Sequence, residues 1–193
     1  SEIVVNGKYK AAGYAANSSV TSRSADTTPS GENYGIVGIS DTNPITYNGT
    51  DTSVSIKHED GVIYVEGDQA TGIYAKNNYN NTIAKNKILI HNEGVISLGD
   101  RGKGIVIQTK DKSITNGGTL TLKDSKLTAN NQDIKVGDEG IGIYTEYSDI
   151  KFDGNYGIAI GNKGVAIQTK GINKIEQTNK TDTLNIEYTR SSR

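Results

Sequence analysis

From residue 54 onward the apolar residues come in pairs two apart, and the pairs come in threes. Val54/Ile56, Ile63/Val65 and Ile73/Ala75 make one set, and Ile88/Ile90, Ile96/Leu98 and Ile105/Ile107 the next. Leu120/Leu122, Ile134/Val136 and Ile141/Ile143 follow, then Ile150/Phe152, Ile158/Ile160 and Val165/Ile167. A spacing of two puts side chains on one face of a β-strand. Each set therefore predicts three short strands with an aliphatic face and a polar face. The sets begin at residues 54, 88, 120 and 150, in steps of 34, 32 and 30. Self-similarity at that period marks a stacked array of one supersecondary unit. Helical spacing is sustained nowhere, and a helix here would bury Gly repeatedly at about 1 kcal/mol each relative to Ala.

The units also resemble one another residue by residue. GVISLGDRGKGIVIQTK (94–110) returns as GIAIGNKGVAIQTK (157–170), with a looser copy, GVIYVEGDQATGIYAK, at 61–76. Parallel, in-register stacking sets Ile on Ile and Gly on Gly, whereas hairpins would lose that agreement. The expected fold class is all-β, a parallel β-helix (β-solenoid) of about six coils with loop insertions. Gly67-Asp68, Gly99-Asp100, Gly137-Asp138 and Gly161-Asn162 fall at equivalent corners, where φ > 0 is expected and Gly, Asn or Asp adopts it at least cost. Counting from the Gly that opens the last strand of each unit, the inner rows read Ile73/Ala75, Ile105/Ile107, Ile141/Ile143 and Val165/Ile167. Insertions at 76–87, 110–118 and 123–133 interrupt the rhythm. Residues 1–50 read as irregular coils and loops, with strands at Ile3–Val5 and Gly35–Ile39 and a Ser/Thr-rich loop at Ser18–Gly31. Regular repeats run over 51–175, and 176–193 form a terminal strand and tail of one continuous segment.

Composition narrows the function classes. One Phe, no Trp and 33% hydrophobic residues leave little for an aromatic core, so the interior must be aliphatic. Basic and acidic residues number 21 and 22 and are interspersed, which gives no stripe for nucleic acid and no polybasic patch for lipid. No apolar run approaches the roughly 18 residues of a membrane span, so this segment is not expected to insert. Without Cys there are no disulfides and no thiolate metal sites. The absence of an initiating Met and of a leader makes the chain read as a mature piece of something longer.

The pattern G-x-I-x-L-G-D-x-x-x-G-I-x-[IVY], with GIYAKN at 72–77 and GIGIY at 140–144, resembles the passenger domains of very large fusobacterial-type autotransporter (type V secreted) adhesins. The resemblance covers about residues 54–170. It implies a right-handed parallel β-helix, exported through the outer membrane and displayed on the bacterial cell surface as a monomeric rod. The partners it implies are a host-cell surface protein or glycan, or another bacterium's surface. GIAIGNKGVAIQ also resembles trimeric autotransporter heads, but the 30–34-residue step is too long for their units. A carbohydrate-active β-helix enzyme and a plain stalk spacer are the alternatives.

Candidate chemistry is sparse. GDRGKG (99–104) lacks the Gly-Lys-Ser/Thr and the following helix of a phosphate loop, and no catalytic set, cofactor or metal site is assigned. His58 and His91, the two histidines, lie one repeat apart, so parallel stacking places them as neighbours, with a modest pH response as the consequence. The partner-binding candidates are Tyr74 and Tyr144, which share one outward strand position, with Tyr64, Tyr79, Tyr147 and Tyr156 close by in sequence, flat amphipathic rings suited to glycan stacking or protein contact. Asp100 with Arg101, and Asp138 with Glu139, are the nearest thing to an enzyme's charged cleft.

Overall fold

The computed structural model describes residues 2–5, 19–22, 34–40, 45–47, 50–52, 54–65, 68–77, 88–109, 118–125, 132–171 and 173–189. Among these the chain is all-β, without a helix. In chain order the strands are β1 (Glu2–Val5), β2 (Ser19–Ser22), β3 (Tyr34–Ser40), β4 (Ile45–Tyr47), β5 (Thr50–Thr52) and β6 (Val54–Val65). Then come β7 (Thr71–Asn77), β8 (Ile88–Leu98), β9 (Lys103–Thr109), β10 (Gly118–Lys123), β11 (Ile134–Val136) and β12 (Ile141–Glu146). The last are β13 (Ser148–Asp153), β14 (Tyr156–Ile160), β15 (Val165–Lys170), β16 (Ile175–Gln177) and β17 (Leu184–Tyr188).

Nearly all pairing is parallel, between strands of successive repeats. One sheet runs β3-β7-β9-β12-β15. The other is organised on the long strands β6 and β8, whose ladder shifts register between Glu59 and Val62. It divides into two arms, β8-β10-β13-β16 before that bend and β8-β11-β14-β17 after it. Among the described residues antiparallel pairing is confined to β1 on β6 and to β4 with β5. Within the expected loop at 18–31, Ser19–Ser22 instead forms a parallel strand against β6.

The aliphatic faces meet in one interior. Val54, Ile56, Ile63, Ile73, Ile88, Ile90, Ile96, Ile105, Ile107, Leu120, Leu122, Ile134, Ile143, Ile150, Phe152, Ile158 and Ile160 share a single buried cluster. Each such side chain contributes about 1.5–3 kcal/mol on leaving water, so the periodic Ile/Val pattern is what drives the sheets together.

The register differs from expectation by two residues in two places. Leu120 pairs with Ile90 rather than Ile88, and Ile143, not Ile141, pairs with Ile105. Ile141 and Val165 are level with Lys103 and Thr71. Ile141 lies half-buried on the outer face and Val165 is exposed, so neither belongs to the inner row. The cause is close backbone approach at Gly35, Gly72, Gly104 and Gly142, which stand level with Ala166. A Cβ on Gly72 would lie 2.6 Å from the Gly104 carbonyl oxygen, and one on Gly142 2.5 Å from that of Ala166. At these four positions, each facing the carbonyl of the next strand, only a residue without a side chain fits; Ala166 lies on β15, the last strand of the sheet, so the glycines set the register.

The corners also differ from expectation. Gly67 lies outside the described residues; at the others positive φ falls not on the Gly or on the Asp or Asn but on the residue after them: Gln69 (62°), Arg101 (53°), Glu139 (56°) and Lys163 (58°). The backbone N–H of each of the first three donates to the next corner, Gln69 to Asp100 O, Arg101 to Asp138 O and Glu139 to Asn162 O. Asp is used here as an acceptor. Asp100 Oδ1 accepts from Asp138 N at 2.9 Å, and Asp138 Oδ1 from Asn162 N at 2.9 Å. A ladder of carboxylates thus ties corner to corner, which explains the recurrence of Gly-Asp more fully than φ alone.

Candidate functional site

The outer face of the five-stranded sheet carries the tyrosines that cluster. Tyr74 on β7 pairs with Val106 on β9, and Val106 pairs with Tyr144 on β12, so the three form one outward row. Adjacent strands lie about 4.8 Å apart, which puts the two tyrosine rows about 10 Å from each other with Val106 between. Val106 is only 2% exposed and forms the floor. Tyr34, on β3, adds a third ring, its centroid 5.4 Å from that of Tyr74 and tilted by 54°.

Two depressions share this row. The larger, about 460 Å³, is lined by Tyr34, Tyr74, Arg101, Lys103, Gln108 and Glu139 among others. The smaller, about 260 Å³, lies between Val106, Ile141, Tyr144 and Gln168 and shares Lys103 and Gln108 with the first. The phenols are held in place. Tyr74 donates to Gln108 Oε1 at 2.5 Å and Tyr144 to Glu146 Oε1 at 2.8 Å. Partial burial, then the Glu146 carboxylate, pushes the Tyr144 hydroxyl up to about 12, so it stays a donor at neutral pH. Glu146 is itself fixed by the Thr109 N–H at 3.1 Å. At the mouth, Arg101 Nε lies 2.6 Å from Asp68 Oδ1 and Arg101 Nη1 3.9 Å from Glu139 Oε2. The Asp68 contact is the main reason the guanidinium is held still more firmly protonated. Lys103 has no ion-pair partner among the described residues and leaves an exposed cation at the rim.

The remaining tyrosine candidates do not join this face. Tyr64 is exposed, but on β6 in the other sheet, opposite Ser97. Tyr147 is half-buried at a turn with φ of 51°, its ring packed against Gly171. Tyr79 lies outside the described residues. Tyr156, expected to meet a partner, is instead fully buried: its ring tilts against Phe152 at 5.5 Å and its hydroxyl receives Asn92 Nδ2 at 3.4 Å. Burial, followed by the field of Asp133, raises its ionisation well above the ordinary range. Sequence reasoning missed Tyr34, because it immediately precedes the GIVGI strand in a stretch without a matching repeat.

The histidines do not stack. In the β6–β8 ladder His58 is level with Asn92, and His91 with Lys57. A one-residue offset sends the rings to opposite faces. His58 is buried, its Nδ1 2.6 Å from Asn92 Oδ1, so Nδ1 carries the proton. Its Nε2 finds no hydrogen-bond partner among the described residues. Burial lowers the affinity of this imidazole for a second proton, opposed in part by Asn92. His91 is half-exposed on the outer face, between Glu59 and Glu93. Of the six tyrosines and two histidines expected to act, the structure thus gathers Tyr74 and Tyr144 on one surface. Compared with known proteins, the chain matches no family model, no curated protein and no solved structure.

Proposed function

We propose that this chain is a non-catalytic segment of a bacterial cell-surface adhesin passenger, wound as a right-handed parallel β-helix. In this reading it holds a host-cell or bacterial surface partner on the tyrosine-bearing face. The observation that supports it best is the Tyr74–Val106–Tyr144 row: two aromatic rings flank a small apolar floor on a rigid parallel sheet. A gap of about 10 Å between ring rows suits one sugar ring or an extended peptide backbone. Gln69, Gln108 and Lys103 at its edges offer amide and ammonium groups to hydroxyls or acids. The phenol bonds to Gln108 and Glu146 fix the rings before binding, which spares the entropy of ordering them. The near-continuous parallel pairing across repeats supports the rod.

The test is a Tyr74→Ala/Tyr144→Ala double variant, screened against glycan arrays and against host and bacterial cells. Loss of two anchoring rings lowers affinity tenfold or more while the far-UV circular dichroism stays that of the parent. Undiminished binding by a folded double variant would remove this face from the account, and adhesion surviving deletion of these repeats would leave only a spacer. A second reading, a carbohydrate-active β-helix enzyme, draws on Asp68, Arg101 and Glu139 beside the depression. Cleavage of an acidic polysaccharide, lost in Arg101→Ala, would favour it instead.

A further inference from the structure

On the outer face of the ten-stranded sheet, just before the bend in β6 and β8, three metal-ligating side chains converge. His91 and Glu93 are two apart on β8 and so share a face, and Glu59 on β6 is level with Glu93. His91 Nε2 lies 3.9 Å from Glu59 Oε1 and 3.7 Å from Glu93 Oε2, and all three ligand atoms fall within 4.8 Å of one another. We propose that Glu59, His91 and Glu93 form a binding site for a zinc-like divalent cation that pins β6 to β8 from outside.

The geometry is close to what the ion needs. Bonds of about 2.0–2.1 Å to imidazole nitrogen and carboxylate oxygen put tetrahedral ligands about 3.3 Å apart. The two distances to His91 must therefore contract by about half an ångström, and the two carboxylate oxygens, within 4.8 Å of each other, by up to about 1.5 Å, a demand that falls on the Glu side chains. Two carboxylates and one imidazole leave a fourth position open, the pattern of three-ligand zinc sites rather than of closed structural ones. The imidazole selects against calcium and magnesium, which prefer an all-oxygen shell.

Two lysines compete for the same carboxylates, unequally. Glu93 meets Lys123 through Oε1, at 3.6 Å, and His91 through Oε2, so it can hold a cation and keep the lysine. Glu59 uses one oxygen, Oε1, for both Lys57, at 3.1 Å, and His91. Zinc must displace Lys57 but not Lys123. One ammonium about 4 Å from a divalent ion in water-like dielectric is worth roughly thirtyfold in affinity, twice the unit-charge energy.

The test is a zinc titration of the tag-free 193-residue chain, followed by calorimetry and by the histidine side-chain nitrogen resonances. The expected result is one equivalent of zinc moving the His91 resonances and leaving buried His58 in place. His91→Gln and Glu59→Gln should each weaken binding tenfold or more, Lys57→Gln should tighten it roughly thirtyfold, and Lys123→Gln should change it less. The proposal is overturned if zinc leaves His91 unmoved or perturbs His58 instead. It is equally overturned if His91→Gln binds as the parent does, or if Lys57→Gln and Lys123→Gln act alike.

Discussion

Replacing Asn92 by Leu removes the centre of a buried polar chain. Asn92 Oδ1 takes the His58 Nδ1 proton at 2.6 Å, and Nδ2 donates to Gly94 O at 3.1 Å and reaches the Tyr156 hydroxyl at 3.4 Å. All three side chains are fully buried, so water does not replace what is lost. Stranding the His58 donor costs about 1–3 kcal/mol, and the longer contacts add about 1 kcal/mol between them. His58 suffers most, since its Nε2 already lacks a partner among the described residues. We expect Asn92→Leu to destabilise the chain by about 2–4 kcal/mol, a large part of the roughly 5–15 kcal/mol that holds a domain folded. The double variant His58→Leu/Asn92→Leu behaves differently. The column that begins His58–Asn92 continues as Leu122 and Phe152, so apolar side chains fit this row two repeats on. With both polar partners gone the pair costs no more than about 1 kcal/mol, and the coupling energy reaches about 2 kcal/mol. Urea unfolding of the four proteins, followed by far-UV circular dichroism above the histidine range, measures the cycle. Additive single effects would refute the reasoning, because they would mean that the two side chains do not depend on each other.

Gly104→Ala puts a methyl against the Gly142 carbonyl and 2.8 Å from Ile134 Cγ2. Overpacking of this kind costs about 1–3 kcal/mol, and the thermal midpoint should fall by about 2–4 °C for each of them. Lys163→Gly acts in the other direction: φ is 58° and the residue is exposed, so relief of the left-handed penalty should stabilise by about 0.5–1 kcal/mol in denaturant melts. The pH–stability profile should have two limbs. His58 is held below its ordinary 6.5, so below that pH the unfolded chain takes up a proton that the folded one resists, and stability falls. Tyr156 is held above its ordinary 10.0, so its contribution is whole below that pH and declines as the unfolded chain ionises above it. His58→Leu should flatten the acid limb and Tyr156→Phe the alkaline one, both read from unfolding midpoints across pH.

Strand identity and facing were legible because burial imposes a period of two. Val54/Ile56, Ile88/Ile90, Ile96/Leu98 and Ile105/Ile107 are inside, as their spacing says. That same period is silent about shifts of two, since an even slip leaves every side chain on its face. Hence Leu120 keeps its inward face against Ile90 as it would against Ile88, whereas Ile141 turns out for another reason: alternation breaks at Gly142, where a Cβ would lie 2.9 Å from Ile158 Cγ2 beside the inward Ile143. It is not silent about shifts of one, and there the repeat length misled: counting back from Gly94 and Gly61 aligns His58 with His91, whereas the ladder shift at Glu59/Val62 aligns it with Asn92.

The candidate site was half legible. Tyr74 and Tyr144 share a motif position, but Tyr34 meets Tyr74 only through the β3–β7 pairing, and no sequence period connects them. Tyr156 shows the same limit from the other side, since a tyrosine beside a turn reads as exposed until Asn92 is found across the interior to take its hydroxyl.

By itself, then, the amino-acid order determined an all-β chain of short strands with an aliphatic interior, because alternation and the energy of burying Ile and Val act within a few residues of one another. Tertiary structure alone decided which strand lies on which, where the polar side chains His58, Asn92 and Tyr156 find each other, and which rings share a surface. Those outcomes depend on contacts between residues 24 to 64 positions apart, where backbone approach at a glycine or one shifted ladder position outweighs any local preference.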